Sequence, residues 1–284
     1  MKEQVTILVQ SCDAYADIWP VFFEMLYKKW PDCPYGIVLN TETKSFKFNG
    51  LNIKSFALYK GLPEEKVKEI SWSQRCIETL KLIDTKYVLV FLEDFFLKDT
   101  VNQEEFDALI KKADSIKNFA CVYFNFNNTP VFYNKKLGLN FIHNDTWARV
   151  NSTCGLWNRE EFLKTLVPGE SPWEYEQTAT ARYKKKNQRF YCTKYDTGPL
   201  KMDFHVQIMQ GKWTEECVEF LTQEGIKFDF NKRGTVPFPK PPKTKMRESV
   251  KNNIILFSQK NLFIYNVTNC IRSVFRGVKK AFKR

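Results

Sequence analysis

The sequence lacks the patterns that mark several common classes of protein. No apolar run among its 284 residues reaches the roughly 18 residues needed to span a bilayer, so no transmembrane helix is expected. The eight cysteines include no Cys-x-x-Cys pair, which excludes the common zinc and dithiol motifs and favours buried, reduced thiols. The amino-terminal segment begins with a strand pattern and reaches Asp13 too early for a secretory leader. We therefore expect a cytoplasmic protein.

Positive charge is abundant, and almost all of it lies at one end of the chain. The formal net charge is +12, but residues 240–284 contain twelve Lys or Arg against the single acid Glu248, a local charge of +11. Residues 1–239 are nearly neutral and rich enough in apolar and aromatic side chains to bury a large core. Because the body is neutral and the terminal charges are not interleaved with aromatics, we expect no binding to nucleic acid.

The first 125 residues alternate strand patterns with helical periodicity. Apolar runs predict strands at 5–10, 35–39, 51–58, 87–92 and 119–125. Helical spacing predicts helices at 18–30 and 103–117, and another that begins at Ser71 or Ser73. This alternation predicts an α/β fold with a mixed, mostly parallel sheet flanked by helices.

The second half is more mixed and ends in a basic tail. It predicts strands at 149–157 and 190–194, and helices at 160–166 and 214–223, with a further helix beginning near Pro172. We expect one domain over 1–235, with halves of about 1–125 and 126–235, and a Pro/Lys linker over 236–247.

Residues 248–284 have the pattern of a basic amphipathic helix. Its apolar positions recur at helical spacing: Ile264, Val267, Ile271, Val274, Phe275, Val278 and Phe282. The opposite face is basic, which predicts attachment to an anionic membrane surface, at about 1 kcal/mol per cation near the surface. The alternative is a helix packed on the domain or on another subunit.

Polar side chains follow three of the predicted strands, where open α/β sheets bind ligands. They are Ser11, Asp13 and Tyr15 after the first strand, Asn40, Thr41 and Glu42 after the second, and Glu93 and Asp94 after 87–92. A carboxylate pair there could hold Mg²⁺ or Mn²⁺ beside a diphosphate, since these cations prefer oxygen ligands. The alternative is a helix cap or a surface turn.

These segments, in this order, resemble the GT-A fold nucleotide-sugar glycosyltransferases, especially the family-2-like enzymes that build bacterial surface polysaccharides. The resemblance covers about residues 4–230 and rests on TILVQSCDAY, SWSQR, YVLVFLEDFF and PWEYEQTATAR. It implies a Rossmann-like domain that moves a sugar from a nucleotide-sugar donor to a saccharide or lipid-linked acceptor, with inversion. An enzyme of this kind would work at the inner face of the membrane, as a peripheral protein.

The resemblance also implies roles for individual residues. The residues expected at the donor site are Ser11, Asp13, Tyr15, Glu42, Arg75, Glu93 and Lys212. Arg75 would face the base or the diphosphate, and Lys212 would neutralise the leaving diphosphate. Asp94 stands at the metal position, with His205 as a late metal or diphosphate ligand. The usual Asp-x-Asp is absent, which leaves a divalent cation and a metal-free enzyme as alternatives.

The resemblance places the general base on the helix that begins near Pro172. Family members often carry a carboxylate six residues before an Arg, and counting back from Arg182 reaches Glu176. Glu174 is the competing candidate, and two solvated acids at a helix start are the structural alternative. Trp147, Trp157, Trp173 and Trp213 include candidates for a sugar-stacking platform, although core packing is the expectation for each.

Two rival functions remain at this point. A nucleotidyltransferase that makes a nucleotide sugar would share the substrate class, but no glycine-rich loop with a basic ending follows the first strand. The other rival is a membrane-recruited binding domain that has kept the fold and lost catalysis.

Overall fold

The computed structural model describes residues 4–124, 126–194, 197–202 and 207–237. Its main sheet has nine strands: β1 (Val5–Gln10), β2 (Gly36–Thr41), β3 (Ile53–Ala57), β4 (Tyr87–Leu92), β5 (Phe119–Tyr123), β6 (Val131–Asn134), β7 (Leu139–Ile142), β8 (Gly155–Asn158) and β9 (Arg189–Cys192). Their order across the sheet is β3-β2-β1-β4-β8-β5-β9-β7-β6. The predicted α/β class is confirmed.

Helices cover both faces of this sheet. They are α1 (Trp19–Lys29), α2 (Glu64–Lys68), α3 (Trp72–Lys81), α4 (Gln103–Ser115), α5 (Arg159–Thr165), α6 (Pro172–Tyr183) and α7 (Glu215–Gln223). One buried cluster includes Phe22 of α1 and Phe106 of α4, and a second cluster includes Leu80 of α3 and Phe162 of α5. Among the described residues, no helix combines the length and the apolar character that crossing a membrane requires.

The sheet is parallel where the candidate site lies and mixed beyond it. β1 pairs in parallel with β2 and β4, and β2 with β3. β8 then lies antiparallel between β4 and β5. A Cβ atom on Gly155 would lie 2.9 Å from the Cys121 sulfur and from a ring carbon of Tyr123, so this position of β8 requires glycine. β8 therefore brings the segment that precedes it close to the end of β4.

Several elements differ from the sequence predictions. The hairpin of β6 and β7 was not predicted, and the strand predicted at 149–157 is confined to β8. A small second sheet contains β10 (Ile208–Met209), β11 (Lys212–Thr214) and β12 (Thr235–Val236). The predicted linker thus begins inside β12, while most of it and the whole tail at 248–284 lie outside the described residues. The seven cysteines that the structure describes are free, and Cys270 lies outside it.

Candidate active site

A cavity of about 320 Å³ opens at the carboxyl ends of β1 and β4. These parallel strands are neighbours, so the segments that follow them meet at one edge of the sheet, where such folds bind ligands. The helices α3 and α6 close the cavity from the side. It is lined by six of the predicted site residues: Ser11, Tyr15, Arg75, Glu93, Asp94 and Glu176.

Glu93 and Asp94 form an acidic pair in this cavity. Glu93 is 8% exposed and Asp94 is half-buried. Burial raises the pKa of the Glu93 carboxyl, and the negative charge of Asp94 raises it further. Burial also raises the pKa of Asp94, against an opposing backbone hydrogen bond. Two adjacent carboxylates that resist ionisation favour a bound proton or a bound cation.

Arg75 brings positive charge to the same cavity from the second turn of α3. Its Nη1 atom pairs with the Glu42 carboxylate, and the Arg75 side chain is only 11% exposed. The Nε atom is buried and has no hydrogen-bond partner within the described residues. Because a guanidinium keeps its charge in proteins, this donor is suited to an anionic oxygen such as that of a phosphate.

Ser71 explains why Arg75 lies where it does. The Ser71 hydroxyl accepts a hydrogen bond from the Gln74 N–H at 3.1 Å and caps α3, as one of the two predicted caps. The same hydroxyl accepts the Gly169 N–H at 3.0 Å, which ties the start of α3 to the segment before α6. One serine thus positions both helices that close the cavity.

Hydrogen bonds between Asp13 and Glu42 join the loops that follow β1 and β2, and both residues line a neighbouring cavity of about 730 Å³. The Asp13 carboxylate accepts backbone N–H groups of Glu42, Thr43 and Lys44 at 3.0 to 3.2 Å, while the Asp13 N–H donates to Glu42. Cys12 lines both cavities, so the two are adjacent. Of the residues expected at the nucleoside, Ser11 therefore lines the cavity of the acidic pair, and Asp13 and Glu42 line the adjacent one.

Ser11 is buried and already bonded. Its hydroxyl accepts the indole N–H of Trp19 at 2.6 Å, which fixes the first turn of α1 against the end of β1. Tyr15 is half-buried at the cavity wall, and burial and the Glu93 charge raise the pKa of its phenol. Tyr15 is therefore a neutral hydrogen-bonding group at ordinary pH.

The two glutamates of α6 have different surroundings. Glu174 is exposed and forms a capping box with Ser171, accepting the Ser171 N–H and hydroxyl at 2.8 Å each. Glu176 lines the cavity, and its Oε1 atom accepts the N–H of Ser152 at 3.1 Å and the Ser152 hydroxyl at 2.7 Å. The structure thus distinguishes a structural Glu174 from a cavity-facing Glu176.

Glu176 was identified in the sequence by its spacing from Arg182. The Arg182 side chain contacts neither Glu174 nor Glu176. Its guanidinium pairs with Glu170 at 2.6 and 3.0 Å and donates to the Thr165 carbonyl at 2.7 Å. This pair ties α6 to the segment before it. The helix that carries Glu176 is consequently held in place at its start by the capping box and near its end by an ion pair.

The predicted tryptophans divide into two groups. Trp157 and Trp213 are fully buried and belong to the core, as expected. Trp147 and Trp173 are 68% and 75% exposed, so core packing is wrong for both. Trp173 lines the cavity together with Trp72, which the sequence analysis did not single out. An exposed indole beside a cavity is a suitable surface for a sugar ring.

Two predicted ligands remain, Lys212 and His205. Lys212 is an exposed residue at the start of β11 and is not part of the cavity wall. His205 lies outside the described residues. Within those residues, no group of three or more His, Cys, Asp or Glu side chains is arranged to hold a metal ion.

The structure adds Arg233, which the sequence analysis missed. Its guanidinium donates to Asp17 at 2.7 Å and to the Ala14 carbonyl at 2.7 Å, and lies 4.6 Å from the ring centre of Tyr15. The charge of Arg233 also lowers the pKa of Glu93, in opposition to burial. Arg233 lies more than 200 residues from its partners, so no local pattern in the sequence marks it.

The chain has a limited likeness to solved structures. It aligns with S. aureus TarS over 72% of this chain and 37% of that chain, at 10% identity and a TM-score of 0.47. It aligns with S. aureus TarS 1–349 in complex with UDP-GlcNAc over 69% and 57%, at 12% identity and a TM-score of 0.47. The bifunctional IspDF from Campylobacter jejuni aligns over 68% and 50%, at 14% identity and a TM-score of 0.34.

This chain thus spans between about a third and three fifths of the lengths of those proteins. No protein-family model matches the chain, and no curated protein matches it in sequence.

Proposed function

We propose that the protein is a glycosyltransferase of GT-A type that moves a sugar from a nucleotide-sugar donor to a saccharide or lipid-linked acceptor. One observation carries the proposal: Arg75, the Glu93–Asp94 pair and Glu176 line a single cavity at the carboxyl ends of β1 and β4. A cation for a diphosphate, an acidic pair and a separate carboxylate are the groups that such a transfer needs. The adjacent cavity beside Asp13 and Glu42 has room for the nucleoside.

In the proposed reaction, Glu176 is the general base. Its carboxylate accepts the proton of an acceptor hydroxyl while that oxygen forms a bond to the anomeric carbon of the donor sugar. The bond from the anomeric carbon to the diphosphate breaks, and the nucleoside diphosphate leaves with the electron pair. Attack from the face opposite the leaving group inverts the anomeric centre. Ser152 holds one carboxylate oxygen of Glu176 and so orients the other.

Arg75 and the acidic pair belong to the donor side of this reaction. The unpartnered Nε donor of Arg75 would bind a diphosphate oxygen. Asp94, with Glu93 beside it, fits a Mg²⁺ or Mn²⁺ ion, because such ions bind one or two carboxylates and take further ligands from phosphates and water. A bound cation would neutralise charge on the leaving diphosphate. Glu174 has its capping role and is not proposed as the base.

Surface polysaccharide synthesis at the inner face of the membrane is the proposed setting. The support is the charge of +11 on residues 240–284 together with their amphipathic pattern. A lipid-linked acceptor would place the reaction at the same surface to which this tail would bind.

Release of nucleoside diphosphate tests the proposal. The full chain is incubated with UDP, GDP, CDP and dTDP sugars and saccharide acceptors, in EDTA or in Mn²⁺. We expect release from at least one donor, and a loss of about 100-fold or more in Glu176→Gln, as is usual for a missing general base. Glu174→Gln is the matched control and should transfer sugar at close to the wild-type rate.

Three outcomes would contradict the proposal. Unchanged transfer in Glu176→Gln would remove the base assignment. Pyrophosphate release from a nucleoside triphosphate and a sugar phosphate would identify a nucleotidyltransferase. Thermal stabilisation by nucleotide sugars without any turnover would identify a binding domain that has lost catalysis.

A further inference from the structure

A second, larger groove of about 810 Å³ lies on the sheet face between the end of α4 and the strands β6, β7 and β9. It shares no lining residue with the candidate active site. β9 is three strand positions from β4, or about 14 Å at ~4.8 Å per strand. The floor of the groove is apolar and consists of Ile116, Phe132, Leu137, Phe141 and Tyr191.

Three cations surround this floor: Lys117, Lys136 and Arg189. All three are exposed, and none forms an ion pair with a carboxylate in the described ranges. No acidic residue is among those that line the groove. An occupant would therefore carry negative charge.

The uncharged polar groups that line the groove are few. Apart from the tyrosine hydroxyls they belong to Asn134 and Ser115, and one oxygen of each is bonded locally. The Asn134 Oδ1 atom accepts the Leu137 N–H at 3.2 Å, and the Ser115 hydroxyl donates to the Lys112 carbonyl at 2.7 Å. An apolar floor with a cationic rim and few free hydrogen-bonding groups fits an amphiphile with an anionic head.

Arg189 at the rim lies 5.5 Å from the ring centre of Phe141, so the cationic rim and the apolar floor are contiguous. Long cationic side chains that pack their stems on apolar surface while their charged heads stay in water are favoured at the boundary between membrane and water. The chain's own carboxyl-terminal segment is excluded as the occupant, because its charge of +11 would be repelled by the three cations.

We propose that this groove binds an anionic membrane phospholipid. An acyl chain lies along the apolar floor, and the phosphate lies among Lys117, Lys136 and Arg189. This site would anchor the body of the protein independently of the tail, and it does not depend on the proposed sugar transfer.

Binding of a monomeric lipid tests this site without a membrane surface. The full chain is titrated calorimetrically with dihexanoylphosphatidylglycerol below its micelle concentration. We expect saturable binding that weakens more than tenfold in the variant Lys117→Gln/Lys136→Gln/Arg189→Gln, since each charge-assisted contact with a phosphate contributes about tenfold. The control Lys47→Gln/Lys81→Gln/Lys227→Gln removes the same charge from exposed positions elsewhere and should bind as the wild type does.

Two further measurements separate the lipid from a simple anion. The variant Leu137→Ser keeps every charge, removes apolar surface from the floor and should weaken lipid binding several-fold, while sn-glycerol 3-phosphate should bind at least tenfold more weakly than the lipid. Absence of saturable binding, equal losses in the two triple variants, or glycerol phosphate as tight as the lipid would overturn the proposal. Tighter, groove-dependent binding of heparin or an oligothymidylate would also overturn it, in favour of a polyanion site. If the triple variant does not fold, the single variants at Lys136 and Arg189 answer the same question.

Discussion

Removing the Glu93 carboxyl should make the protein more stable at high pH. In the folded protein, burial and the charge of Asp94 raise the pKa of Glu93 above its ordinary range. The folded state therefore holds a proton that the unfolded state has already released, and stability falls as the pH rises through this interval. For one such proton the slope is at most about 1.4 kcal/mol per pH unit. Glu93→Gln cannot ionise and escapes this loss.

The measurement is urea unfolding of the wild type and Glu93→Gln in EDTA between pH 5 and pH 9. We expect the two to be similar at the acidic end, with the variant gaining an advantage as the pH increases. Glu104→Gln is the matched control, because Glu104 is an exposed residue of the first turn of α4. Its difference from the wild type should not change with pH in this range. A Glu93→Gln difference that is equally flat would refute the burial argument.

The same variant links stability to function. If Asp94 and Glu93 hold a divalent cation, Mn²⁺ should restore stability to the wild type at high pH, because the ion neutralises the two buried charges. The variant has lost one of these charges and should respond less. An equal response of both proteins would show that Glu93 does not contribute to cation binding.

Three further predictions concern single side chains. Trp157→Ala should lower the free energy of unfolding by about 3–5 kcal/mol, because it leaves a cavity in the core. Trp173→Ala should lower it by about 0.5 kcal/mol or less and should raise the KM for the acceptor. Equal losses of stability in urea unfolding would contradict this division. Gly155→Ala should lower the free energy of unfolding by about 1–3 kcal/mol, since the added methyl group meets two neighbouring side chains. An unchanged midpoint in urea would show that the neighbouring strands move to accommodate the methyl group. Arg233→Gln should lower the free energy of unfolding by about 2 kcal/mol, because it leaves Asp17 unpaired, and it should raise the KM for the donor. Arg233→Lys should recover part of both effects. A change in kcat alone would contradict a positioning role for Arg233.

The sequence was sufficient for elements whose signals are local. The run at 87–92 is apolar throughout because β4 is buried on both faces, and a continuous apolar run of this length indicates such a strand without any knowledge of its neighbours. Ser71 and the Ser171–Pro172 start likewise act within one helical turn, so the beginnings of α3 and α6 were predictable. These local signals placed Glu93 and Asp94 at the end of a strand. Arg75 and Glu176 were selected by the resemblance, and the structure brings all four residues to one cavity.

What the sequence did not show depends on contacts between distant segments. β8 lies between β4 and β5 because Gly155 permits the close approach, and no local pattern states which strands it joins. Ser152 holds Glu176 only because of that insertion. Arg233 contacts Asp17 and Tyr15 because the chain, after α7, comes back to the segment that follows β1. No periodicity in the sequence predicts this contact. The β6–β7 hairpin was missed because it lies at the edge of the sheet and is only partly buried, so neither strand carries a long apolar run.

The distribution of charge over the fold gives the two proposed sites opposite electrostatic characters. The candidate active site concentrates acids that burial keeps from ionising easily, and it therefore attracts a cation or a proton before it attracts an anion. The described residues that line the groove beside β6 include three cations and no acid. An anionic lipid should consequently avoid the acidic cavity and enter the groove, whereas a nucleotide sugar should require a cation or Arg75 to enter the cavity. Divalent cations should therefore raise the affinity of the donor for the cavity, to which Arg75 also contributes, and should leave the affinity of lipid for the groove unchanged.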